Sequence, residues 1–378
     1  MKYFLIAGEA SGDLHASHLI ESLRRRDSEA QFALLGGDLM STAAGVSPVI
    51  HYKDMAFMGF SEVLRNLGAI GRNLKAARQA LADFAPDALI LIDYPSFNLK
   101  VSATAARLGI PVYYFISPKV WAWKKWRVKT IAKLVRKVLC ILPFEPKFYR
   151  DNNYDAAVYV GNPSVGEMDA ALATAPSRVD FCRAHRLREN RNVIALLPGS
   201  RRGEIRNNLP IMDAVARRYP SYTIVVAGAP GIDDDFYKPL TRFPVVRDAT
   251  HDLLAVAHAA IVTSGTATLE AALAAVPQVV VYRANGSKIS YNLMRSLLHV
   301  THVSLPDIIT DADTVPELLL HHCTIDNVDA ALRAITPDDS PARAAMLEGY
   351  ATMRRILGTD NAPDRAAEII INDLNQQH

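Results

Sequence analysis

Short apolar runs and longer amphipathic stretches alternate along most of this chain. In the first half, YFLIAG, FALLGG, ALILID, PVYYFIS, VLCILP and VYVG are runs of aliphatic, β-branched and aromatic residues. Near-continuous apolarity over so few residues suits a strand buried on both faces, and the helices that cover such strands must lie between them. The rhythm therefore predicts βαβ units around a parallel sheet. Between residues 14 and 23, Ala16, Leu19, Ile20 and Leu23 share one helical face, and Arg24, Arg25 and Arg26 close that helix at its negative pole. After Pro163 the chain turns small, charged and irregular to about Asn190, and the rhythm then restarts with NVIALLPGS. It continues through YTIVVAGA, VVRDA, AAIVTSG and QVVVYR, with DLLAVAH and TATLEAALA as helical segments. The expected organisation is two doubly wound, Rossmann-like domains, 1–165 and 166–341, facing each other across a cleft. Two helices broken around Gly358 to Pro363 fill 342–378 and are expected to return to the first domain. Open parallel sheets bind ligands at the carboxyl ends of their strands, so the candidate chemistry is sought in the loops that follow them.

A length of 378 residues agrees with two domains. Net charge is only +3, so attraction to nucleic acid or membrane has to come from local clustering. Cys140, Cys182 and Cys323 lie far apart, without the spacing of a zinc site or a disulfide framework. The apolar run in MKYFLIAGEASGD is too short for a signal peptide, and no stretch reaches the length of a transmembrane helix. A cytoplasmic location is expected.

The first strand runs into Gly8-Glu9-Ala10-Ser11-Gly12-Asp13 and then a helix. Small residues and backbone N–H groups at such a turn admit an anion or a sugar, so Glu9, Ser11, Gly12 and Asp13 are candidates for binding one. The spacing is not that of a nicotinamide dinucleotide site. Asp93 ends ALILID, where a carboxylate is placed to act as a general base, and Asn98 in the following turn can bond a sugar hydroxyl or Asp93. Residues 117–138 hold all three tryptophans and eight Lys or Arg with no acid. Trp121, Trp123 and Trp126 amid those cations suit an anionic lipid surface better than a nucleic-acid groove, along which aromatics would be spread out. Phe57 and Met58 with Val63, Leu64 and Leu67 make a second apolar stripe that suits acyl chains or a core. In the second half, Gly199, Ser200 and Arg201 follow a buried strand where a phosphate can approach. Ser264, Gly265 and Thr266 open a helix that carries Glu270 one turn in, an arrangement suited to a diphosphate and ribose hydroxyls.

GEASGD, MGF, IDYPSFN, ISPKVWAW, ILPFE, GNP, LPGSR and SGTATLE occur in that order, and from about Tyr3 to Leu320 the chain resembles the lipid-A-disaccharide synthase family. The resemblance implies a GT-B fold with an amino-terminal acceptor domain, a carboxyl-terminal UDP-sugar domain, and a last helix that crosses back to the first. It implies inverting transfer of 2,3-diacylglucosamine from UDP to 2,3-diacylglucosamine 1-phosphate, with no metal or other cofactor. The partners it implies are the acylated glucosamines and the inner face of the cytoplasmic membrane, touched peripherally; no nucleic acid is expected, and the resemblance is compatible with a homodimer without fixing the oligomeric state. Asp307 and Leu320 depart from the family pattern of Asn and Gln, and Ser96 stands where some relatives carry an acid. A MurG-like transferase or a UDP-N-acetylglucosamine 2-epimerase would share the nucleotide half but not the WAW segment. A non-catalytic lipid-binding homologue is the alternative of a different class.

Overall fold

Strand β1 (Lys2–Ala7) is buried along most of its length, and its side chains alternate between two cores. Tyr3, Leu5 and Ala7 pack with Leu19, Ile20 and Leu23 of the helix Ala10–Arg26 on one face, while Phe4 and Ile6 meet Leu81, Val101 and Tyr114 on the other. The computed structural model describes residues 1–55, 67–122, 125–283 and 302–376. They form two units, Met1–Pro163 with Thr359–His378, and Ser164–Gly358.

The sheet of the first unit has the order β3-β2-β1-β4-β5-β6-β7, with β2 at Gln31–Gly36, β3 at Ile50–His51, β4 at Ala88–Ile92, β5 at Val112–Phe115, β6 at Lys137–Cys140 and β7 at Ala157–Tyr159. The chain builds outward from β1 to β3, then returns and builds the other way from β4. That reversal separates the loops after β1 and β4 and opens a crevice at their carboxyl ends. The sheet of the second unit repeats the plan in the order β10-β9-β8-β11-β12-β13. Its strands are β8 (Val193–Leu197), β9 (Thr223–Gly228), β10 (Val245–Arg247), β11 (Ala257–Thr263), β12 (Gln278–Tyr282) and β13 (Glu317–Leu319). Every strand pair in both sheets is parallel.

Two segments differ from the expected organisation. The stretch after Pro163 is helical over Pro163–Thr174 and Arg178–Ala184, the second capped by the Ser177 hydroxyl, which accepts the Asp180 N–H. Proline at the first position and serine at the cap start helices that a mixed composition conceals. The two carboxyl-terminal helices also part company. Pro341–Leu357 stays with the second unit, burying Met346, Tyr350, Met353 and Leu357, with the Tyr350 hydroxyl on the Val276 carbonyl at 3.2 Å. Gly358, at φ +70°, breaks the chain, and only Ala362–Asn375 packs on the first unit. There Ala366, Ala367, Ile370 and Leu374 complete the core around β1. Asp373 anchors the helix: it accepts from the Tyr113 hydroxyl at 2.6 Å and pairs with Arg136, and with Lys137 at 3.5 Å.

Candidate functional site

In the first unit the crevice between β1 and β4 brings the Gly8–Asp13 turn against the turn that begins at Asp93. Tyr94 makes the junction. A Cβ on Gly8 would lie 2.3 Å from the Tyr94 ring, so only glycine lets the ring rest there. The Tyr94 hydroxyl donates to the Met55 carbonyl at 2.7 Å. Burial, and then the charge of Glu9, raise the Tyr94 pKa above its ordinary value. Asp93 and Tyr94 both adopt left-handed backbone, at φ +42° and +47°. Two successive non-glycine residues in that region are strained by about 1–3 kcal/mol each, a cost that surrounding contacts have to offset. The Asp93 carbonyl is pinned by the Tyr114 hydroxyl at 2.6 Å and the Asn98 amide at 2.7 Å, and the Asp93 side chain is exposed. Glu9 is half-buried and Ser11 exposed at the start of the helix Ala10–Arg26, and Gly12 packs tightly on Ala7 and Ile92.

Asn98 and Asp13 take other parts than contact with the acceptor. Asn98 is fully buried, and its amide holds the backbone of β4 at Ile92 and Asp93 rather than a sugar hydroxyl. Asp13 is buried too. Its carboxylate accepts the N–H groups of Gly37, Leu39 and Met40 at 2.7, 3.1 and 3.2 Å. It therefore caps the neighbouring helix Asp38–Ala44, where a carboxylate satisfies orphan donors and complements the helix dipole.

The aromatic segment divides. Trp121 is half-buried, stands edge-on to Phe144 at 5.1 Å and donates its indole N–H to Glu145 at 3.2 Å, which ties it to the fold. Trp126 is 65% exposed, with the Arg127 guanidinium 5.7 Å from its ring. Trp123 lies outside the described residues, as do Phe57, Met58, Val63 and Leu64 and the side chain of Leu67. Glu145 was visible in the motif ILPFE without a role. It is 1% exposed, accepts the Leu142 N–H at 3.1 Å, and burial pushes its carboxyl up to about 8.

In the second unit the loops after β8 and β11, adjacent strands, stand at the equivalent reversal. Gly199 has φ +110°, and a Cβ there would lie 2.6 Å from a Glu204 carboxylate oxygen. Glu204 reaches back from the helix Arg202–Ala216 to accept the N–H groups of Ser200 and Arg201 at 3.1 and 3.3 Å, and it pairs with the exposed Arg201 guanidinium at 3.3 Å. The GSRRGE string carries this feature as an acid three residues after the cap position. Ser264 commits both donors to the fold, its N–H to the Val281 carbonyl at 3.2 Å and its hydroxyl to the Val303 carbonyl at 2.9 Å. It shapes the turn from which Gly265 leads into the helix Thr266–Leu273, where the Thr268 N–H bonds the Gly265 carbonyl at 3.1 Å. Glu270 is half-buried one turn further on. Asp307 is buried, accepts the Thr314 and Val315 N–H groups at 2.9 Å each, and burial pushes its carboxyl up to about 7. Leu320 has φ +53°.

The family model for lipid-A-disaccharide synthetase matches residues 3–358 of this chain. The chain is 39% identical to the lipid-A-disaccharide synthase of Myxococcus xanthus, covering 99% of this chain and 97% of that one. It is 34% identical to the enzyme of the same name from Geobacter sulfurreducens, covering 100% and 98%. Among solved structures, the UDP-GlcNAc 2-epimerase of Neisseria meningitidis bound to UDP-GlcNAc superposes with a TM-score of 0.65 at 14% identity, over all of both chains. The calicheamicin glycosyltransferase CalG4 superposes with a TM-score of 0.63 at 16% identity, over 99% and 98%. These two establish the shared GT-B architecture. No helix among the described residues is long and apolar enough to cross a membrane.

Proposed function

The chain belongs to the lipid-A-disaccharide synthetase family of disaccharide-forming glycosyltransferases, and on that premise we propose the reaction it performs and the residues that perform it. The enzyme transfers 2,3-diacylglucosamine from UDP to the 6-hydroxyl of 2,3-diacylglucosamine 1-phosphate, with inversion at the anomeric carbon. The acceptor oxygen forms a bond to the anomeric carbon as the bond to the diphosphate breaks, and UDP departs with that electron pair. The hydroxyl proton passes to the Asp93 carboxylate. What carries the assignment is the exposed side chain of Asp93 at the carboxyl end of β4, on a left-handed turn whose carbonyl is pinned by Tyr114 and Asn98. A base presented from a fixed backbone loses little freedom in reaching the transition state.

Glu9 and Ser11, beside that turn, bind the acceptor sugar. Arg201, the backbone at Gly199 and Ser200, and the helix start at Gly265 and Thr266 stabilise the charge that develops on UDP, and Glu270 accepts hydrogen bonds from the ribose. The acylated substrates are met at the inner face of the cytoplasmic membrane, where Trp126 and the surrounding cations rest among headgroups. The test combines purified protein, UDP-2,3-diacylglucosamine and the acyl sugar phosphate, and follows UDP release. Asp93→Asn lowers turnover by about 10²–10⁴-fold and leaves UDP affinity nearly intact, because it removes the base without touching the nucleotide site. Unchanged turnover in that variant would assign the base elsewhere.

A further inference from the structure

Three side chains able to ligate a metal converge beside the turn at Ser264, and sugar transfer assigns no role to any of them. His302 precedes Val303, Asp307 sits in the first turn of the helix Leu305–Thr310, and Glu317 opens β13. His302 Nδ1 stands 3.8 Å from Asp307 Oδ2, and one donor atom from each of the three residues lies within 4.8 Å of the others. A separation of 3.8 Å is too long for a hydrogen bond. The groups approach one another without bonding, as ligands around a common ion do.

The Asp307 side chain points to what is missing. It is 1% exposed, and Oδ1 accepts two backbone N–H groups. Oδ2 is buried with no hydrogen-bond partner among the described residues. A buried carboxylate oxygen that makes no hydrogen bond is costly even with His302 Nδ1 3.8 Å away, and a cation held between the two removes that cost. Glu317 is oriented by backbone in the same way. Its Oε1 accepts from Val303 and Ser304 at 3.0 and 2.6 Å, and its Oε2 from Val303 at 3.1 Å, which leaves Oε2 a lone pair for a metal. Outer hydrogen bonds of this kind fix ligand direction in metal sites.

We infer that His302, Asp307 and Glu317 form a site for one divalent first-row transition ion, with Zn²⁺ the best fit to one imidazole nitrogen and two carboxylate oxygens. Two carboxylates balance the charge of the ion, and the imidazole argues against Mg²⁺ or Ca²⁺, which favour oxygen alone. Ligand distances of about 2.0–2.2 Å place neighbouring donors roughly 3–3.5 Å apart, so donors that lie within 4.8 Å of one another close on an ion with a shift of about 1 Å or slightly more. The exposed Asp313, 3.7 Å from His302 Nδ1, or a water completes the coordination. The ion would tie His302 and β13 to the helix that holds Asp307. The segment between them carries the Val303 carbonyl that accepts the Ser264 hydroxyl, and the Leu305 N–H that reaches Thr268 at 3.2 Å. The site is therefore a brace for the turn at Ser264, and the inference stands independently of the transfer reaction proposed above.

Tag-free full-length protein, stripped with a chelator and titrated with CoCl₂, tests it by visible ligand-field absorption. One Co²⁺ per chain is expected, displaced by ZnCl₂. Asp307→Asn keeps the oxygen that accepts the two N–H groups but turns the ligand atom into an amide NH₂. It is expected to weaken Co²⁺ binding by about tenfold or more, as is His302→Gln, while His51→Ala, which belongs to the other unit, leaves it unchanged. Folding of each variant is read without metal by circular dichroism. His302→Gln removes a ring that anchors no backbone hydrogen bond among the described residues, so it tests the site even where Asp307→Asn fails to fold. Absence of stoichiometric Co²⁺ binding, or binding equal to wild type in the folded variants, would overturn the inference.

Discussion

Glu145→Gln isolates the consequence of burying a carboxyl group under the tryptophan segment. In the native chain Glu145 accepts from the Leu142 N–H and the Trp121 indole, yet burial outweighs both and pushes its carboxyl from 4.5 to about 8. At pH 7 the group is thus roughly nine-tenths protonated, and glutamine is close to its isostere. The folded state binds the proton more tightly than the unfolded state does. The stabilisation this gives is complete below about pH 4.5 and is lost as pH rises through 8. With fixed geometry the loss between pH 5 and 8 is about 3–4 kcal/mol. Relaxation of the Leu142 turn and entry of water reduce it, so about 1–3 kcal/mol is expected. Glutamine has no such loss, and the stability difference between variant and wild type should shift in favour of the variant by that amount across the window. Urea unfolding followed by tryptophan emission reads the first unit selectively, since all three tryptophans belong to it. A difference that stays flat from pH 5 to 8 would refute the assignment of a buried, protonated Glu145.

Asp373→Ala is expected to destabilise the first unit by about 1–3 kcal/mol in the same assay, below the range for fully buried pairs because the Arg136 side chain is 42% exposed. Its partners hold the Asp373 carboxyl below the ordinary 3.8, so the stabilisation is present above that pH and fades as pH falls below it. Glu204→Ala releases the N–H groups of Ser200 and Arg201 and lets Gly199 leave its left-handed conformation; calorimetry should show UDP binding weakened several-fold with little change in overall fold. Trp126→Ser is expected to reduce sedimentation with anionic liposomes while leaving unfolding unchanged, because its ring is exposed, whereas Trp121→Ser should lower stability through loss of the contact to Glu145.

Most strands were legible because parallel sheets demand short, nearly unbroken apolar runs, and YFLIAG, ALILID, NVIALLPGS and AAIVTSG all supply one. The turns after β1, β4, β8 and β11 were legible as sites for the same reason: Gly, Ser and Asp at the end of such a run are conspicuous. What each polar residue does within a turn was not. Asp13 looks like a ligand contact in GEASGD, but its partners, Gly37, Leu39 and Met40, are 24 to 27 residues away, a pairing that appears only when β1 and β2 are laid side by side. Trp121 and Glu145 are likewise 24 residues apart, so the composition of 117–138 suggested one lipid-facing surface where the fold divides it between an anchored ring and an exposed one. The carboxyl-terminal helices share an amphipathic pattern, and which unit each one covers depends on a core formed by residues far away in the chain.

The strain at Asp93 and Tyr94 bears on how the chemistry can be dissected. Left-handed backbone at two successive non-glycine residues persists only where surrounding structure over-determines it. Here the supports can be named: the Tyr114 hydroxyl and Asn98 amide on the Asp93 carbonyl, the Met55 carbonyl under the Tyr94 hydroxyl, and the bare backbone of Gly8 beneath the Tyr94 ring. All of them belong to the first unit. The Glu204 brace on Gly199 and Ser200 belongs wholly to the second. Each turn is therefore preorganised by its own unit, without waiting for the other's ligand. Replacing this carboxylate by its amide keeps all four of these supports, since two act on the Asp93 carbonyl and two on the Tyr94 side chain. That is why a loss of turnover in Asp93→Asn with UDP affinity retained would report on proton transfer itself, and why a parallel loss of UDP affinity would instead mean that the two turns are coupled.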